Sequence, residues 1–75
     1  MNNTSNHLDR IALRVIAIAR RHANGNTSAV SCLHDAVQLY VDGWYVSAAN
    51  WAVESLAHSV GICHPDYATS RQLIA

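Results

Sequence analysis

The side chains able to do chemistry are few and scattered. The chain carries five histidines, two cysteines, five Asp and Glu together, and five basic residues that are all Arg. Cys32-x-His34, followed by His58 and Cys63-His64, holds the nitrogen and sulfur donors that zinc takes. Cys32 and His34 lie two apart on an expected helix, roughly 200° around its axis, so they cannot close on one ion. A site would need one residue from each segment, for example His58, Cys63 and either Cys32 or His34, and that spacing fits no finger or ribbon pattern. Cys63-His64 with Asp66 contains the residue types of a thiol nucleophile, a base and an orienting acid. Adjacent side chains seldom form such a pair, because triads are assembled in space rather than in sequence. The plainer reading is that Cys63 fills a gap near the end of a helix and His64 ends a loop. The chain has no paired carboxylates, no phosphate-cradling glycine loop and no HExxH. The expectation is therefore no metal, no cofactor and no enzyme activity.

Arginine is the next candidate chemistry. Arg10, Arg14, Arg20 and Arg21 lie on one expected helix, so a chain of zero formal net charge is locally basic. Such a stripe can contact phosphate or an acidic protein surface. It can also be a solvated face, with Arg10 and Arg14 pairing Asp9 or carboxylates of other segments. A pI near 7.0 argues against a general nucleic-acid coat or a binder of acidic membranes.

These residues are positioned by a helical pattern. Residues 1–6 are polar and expected to fray, and Ser5 or Asn6 can cap helix one, Asn6 placing Asp9 at the third position. Helix one spans about 8–23, with Leu8, Ile11, Ala12, Val15, Ile18 and Ala19 on one face and His22 close by. Arg10, Arg14 and Arg21 share the far side. Asn24-Gly25 ends it, both types tolerating the left-handed conformation. Helix two follows Asn26-Thr27-Ser28 and runs to about Val41, burying Ala29, Leu33, Ala36, Val37 and Tyr40. Asp42-Gly43 turns directly into helix three, so the two helices should be antiparallel neighbours. After Gly61, Pro65 suits the first turn of a short last helix reaching about Ile74, with Tyr67, Leu73 and Ile74 on its apolar side.

The segment 42–61 is the centre of this plan. At about 100° per residue, Tyr45, Ala49, Ala52, Leu56 and Val60 form a core stripe. Ser47, Asn50 and Glu54 face water. Trp44, Trp51, Ser55 and His58 form a third strip, roughly 100–140° away, and Trp is enriched at interface hot spots. Either another helix covers this strip or it docks a partner.

Seventy-five residues make one domain near the lower size limit for independent folding, and 51% hydrophobic against 13% charged content favours association, including self-association. Two cysteines do not make a disulfide framework, and reduced thiols point to the cytoplasm. Neither a signal peptide nor a membrane span is expected.

The pattern Ala36-x-x-Leu39-Tyr40-x-x-Gly43-x-Tyr45-x-x-Ala48 resembles the helical hairpin of a tetratricopeptide repeat, which also turns at a glycine and follows it with an aromatic and then an alanine. The resemblance covers about residues 29–56, a single unit. Gly43, Tyr45, Ala48, Ala52 and His58 are also similar to the turn entering a long helix in HEPN bundles. The Arg-x(4–6)-His ribonuclease signature of catalytic HEPN members is absent. Both resemblances imply a helical module that binds something.

The reading is all-α: three main helices and a short C-terminal helix. The leading function is a non-catalytic protein–protein interaction module, a small regulator or inhibitor of phage or mobile-element type. It would dock through Trp44, Trp51, Ser55 and His58 on a larger partner or on a second copy of itself. The alternatives are nucleic-acid contact through Arg10, Arg14, Arg20 and Arg21, and a HEPN-type RNA-related protein without the nuclease motif.

Overall fold

The computed structural model describes residues 3–75. It contains four helices: α1 (Asn3–His22), α2 (Thr27–Val41), α3 (Tyr45–Ser59) and α4 (Pro65–Ile74). No strand occurs among the described residues. The all-α bundle of three main helices and a short fourth agrees with the periodicity.

Helix α1 begins at Asn3, five residues before the expected start at Leu8. Ser5 and Asn6 therefore lie inside the helix and not at its start, and Asp9 sits in its second turn. The stretch holds no Gly or Pro, and Asn, Thr and Ser each cost a helix only a few tenths of a kcal/mol. Met1 and Asn2, part of the expected frayed segment, lie outside the described residues. Gly25, at φ +86°, makes the reversal after α1, while Asn24 keeps a negative φ.

Asn26 caps α2. Its backbone is extended and its side-chain oxygen accepts the Ala29 N–H at 2.9 Å. The same side chain donates from Nδ2 to the His58 carbonyl at 3.0 Å, so one residue starts α2 and ties it to the last turn of α3. At the other end Gly43, at φ +89°, closes a Schellman turn: Gly43 N–H donates to the Tyr40 carbonyl and Trp44 N–H to the Leu39 carbonyl, at 3.1 and 2.9 Å. Helices α2 and α3 are thus antiparallel, and the Tyr40 and Tyr45 rings pack across the turn, 5.5 Å apart.

Helix α3 is central and packs against all three others, most extensively against α2 and then α1. The core is Ala12, Val15, Ile16 and Ala19 of α1, Ala36 of α2, and Ala48, Ala49, Ala52, Val53 and Leu56 of α3. The alanines let the helices approach closely. The buried arc of α3 is wider than the single stripe expected, because α1 and α2 flank it on two sides. Val37, expected in the buried stripe of α2, is 40% exposed, and Cys32 is buried instead. The reason is that α2 turns its small residues to α3 and is only lightly touched by α1. His64 caps α4, its Nδ1 accepting the Asp66 N–H at 3.0 Å, and Pro65 takes the first helical position.

Candidate functional site

The expected docking strip divides in the structure. Trp44 stands just before α3 and is 66% exposed, and Trp51 on α3 is 41% exposed. His58 is also exposed. Ser55 is fully buried and its Oγ donates to the Ala29 carbonyl at 2.7 Å. Ser55 therefore belongs to the α2–α3 contact, not to a docking strip, because α2 reaches farther around α3 than one stripe requires. Sequence reasoning missed Val41 and Val46, both more than half exposed beside Trp44. The α2–α3 turn thus presents Val41, Trp44 and Val46 within six positions, and Trp51 lies two helical turns on.

Arg10, Arg14, Arg20 and Arg21 are all exposed. The pairing of Arg10 and Arg14 with carboxylates does not occur: among the described residues, the one ion pair joins His22 and Asp66. Asp9 instead lies half-buried against Tyr40, whose hydroxyl it pushes up chiefly through hydrogen bonding, helped by burial. The exterior of α1 is left cationic.

A groove of about 450 Å³ opens between α1 and α2. Its walls are Leu13 and Ile16 on one side and Val30, Leu33 and Val37 on the other, with Arg20 and His34 among the lining residues. Neither tryptophan reaches it.

The residues considered for zinc are not brought together. Cys32 is buried, while His34, His58 and Cys63 are exposed. Among the described residues, no three His, Cys, Asp or Glu side chains converge as metal ligands. Burial, and then the carboxylates of Glu54 and Asp35, push the Cys32 thiol up, away from the thiolate a nucleophile needs. Cys63, expected to fill a gap, lies on the surface.

One polar cluster was not foreseen. His22 Nε2 meets Asp66 Oδ2 at 2.7 Å, and the His22 and His64 rings lie edge to face at 5.2 Å. The hydrogen bond from His22 holds the Asp66 carboxyl below its ordinary value. The pair fastens the start of α4 to the end of α1. The sequence separation of 44 residues gave no periodic signal for it.

No family model, no curated protein and no solved structure matches this chain.

Proposed function

We propose that the chain is a non-catalytic helical interaction module, a small regulator or inhibitor that docks on a larger protein inside the cell. The observation that carries this reading is the exposure of Trp44 and Trp51 on the α2–α3 hairpin, with Val41 and Val46 beside Trp44. Burying large apolar side chains is the main driving force of association, and Trp supplies the most energy per residue at such surfaces. The hairpin beneath them is rigid: Ala48 and Ala52 are buried in the core, and Asn26 and Ser55 bond the two helices together. These same features, the glycine turn with Tyr45 and Ala48, carry the likeness to tetratricopeptide and HEPN hairpins and support a binding role. No helix among the described residues is long and apolar enough to cross a membrane.

The test is a pull-down from the source cell with wild type and the Trp44→Ala/Trp51→Ala double variant. The expected result is a specific partner retained by wild type and lost by a variant of unchanged helix content. Equal retention by both proteins would overturn the reading, and loss of helix content would place the tryptophans in the fold instead.

A further inference from the structure

The α1–α2 groove and the arginines of α1 form one surface. Its lining is mostly apolar, with Leu13, Ile16, Leu33 and Val37 among it. Leu13 also lines a second depression shared with Arg10 and Arg14, so the apolar lining runs on into the arginines. No Asp or Glu lines either hollow. Arg20 lines the groove itself, and none of these three arginines is in an ion pair among the described residues. The carboxylate of α1, Asp9, is half-buried and lines neither hollow. On α2 the groove is lined by Val30, Leu33, Val37 and Tyr40, spaced three, four and three apart, which is the spacing of a helix-packing seam.

We propose that this groove receives an amphipathic helix of a partner protein, with apolar side chains at helical spacing and acidic residues flanking them. Open apolar grooves take such helices through anchors at i, i+3/i+4 and i+7. The cations along α1 select acidic flanks and repel basic ones. The surface is distinct from the tryptophan surface and does not depend on it.

The probe is a fluorescein-labelled synthetic helix of about 16 residues, ~24 Å long, with Leu anchors and Glu flanks. Its controls carry Lys in place of Glu, or Ser in place of Leu. The Glu/Leu peptide should bind the wild-type chain by anisotropy, and both controls should bind at least about tenfold more weakly. Val37→Glu should abolish binding while helix content and thermal unfolding stay as in wild type, since Val37 is outside the core. Arg20→Glu should weaken the Glu peptide and strengthen the Lys peptide. The Trp44→Ala/Trp51→Ala variant should bind as wild type. No binding of the Glu/Leu peptide, equal binding of the Glu and Lys peptides, or binding by Val37→Glu would overturn the proposal. So would dependence on the tryptophans, which would move the site to their surface. Full competition by an RNA oligonucleotide, steeply relieved by salt, would reassign the arginines to nucleic acid.

Discussion

The two sides of α2 differ in closure. Toward α3 it shows Ala29, Cys32 and Ala36, all buried, and the side is sealed by the Ser55 and Asn26 hydrogen bonds. Toward α1 it shows Val30, Leu33 and Val37, which line an open groove. The hydrophobic effect alone favours closing both sides, and the larger side chains stand on the open one. Side-chain size explains the contrast. Alanine brings two backbones close enough for polar atoms to meet across the contact, whereas Val and Leu set helix axes farther apart.

The largest effect should come from disturbing the closed side. Ala52 is fully buried where α3 packs, so Ala52→Leu overpacks the bundle and should cost about 1–3 kcal/mol. For a chain of 75 residues that is a large share of the total stability, and thermal unfolding followed by circular dichroism should fall well below wild type. Val37→Ser, on the open side, should change stability by no more than about 0.5 kcal/mol. Equal losses in the two variants would mean that the groove is closed in solution.

Asn26→Ala should come next. It removes the cap of α2 and the bond to the His58 carbonyl together, and should cost about 1–2 kcal/mol by denaturant titration. Asn26→Asp keeps the cap oxygen and loses the amide donor, so its own loss reports the bond to α3 and the difference between the two variants isolates the cap. A loss for Asn26→Asp as large as for Asn26→Ala would mean that the cap itself contributes little.

What was legible in the sequence follows the same division. Single-helix features could be read: the faces of α1, the glycine turns after α1 and α2, Pro65 at the head of α4, and the exposed edge carrying Ser47, Asn50 and Glu54. Features that depend on how two helices cross could not. Ser55 and Val37 sit at the margins of their stripes, where a few degrees of packing angle decide burial, so a serine went in and a valine came out. The early start of α1 was missed because Ser and Asn suit both a cap and a helical turn. The candidate site fared likewise: the tryptophans were visible as a pair seven apart, but the groove beside Arg20 exists only once α1 and α2 are both laid on α3.

The smallest expected effect concerns α4, whose start is fastened by a polar pair in place of an alanine contact. Asp66 is held below its ordinary value of 3.8, chiefly by the hydrogen bond from His22. The unfolded chain therefore binds more protons at this residue than the folded chain wherever pH lies near or below that value. The contribution is complete above the unfolded value and is lost as pH falls through the folded one. In thermal unfolding series from about pH 5 to pH 2, wild type should lose stability more steeply than Asp66→Asn, which has no carboxylate to protonate. Asp66 is partly exposed, so the difference should be modest and should shrink in high salt. Parallel acid limbs for the two proteins would mean that the pair does not hold α4 in place and that Tyr67, Leu73 and Ile74, packed against the core, do so alone. That outcome would set α4, held by apolar contact, apart from α2, which α3 also holds through the Ser55 and Asn26 hydrogen bonds.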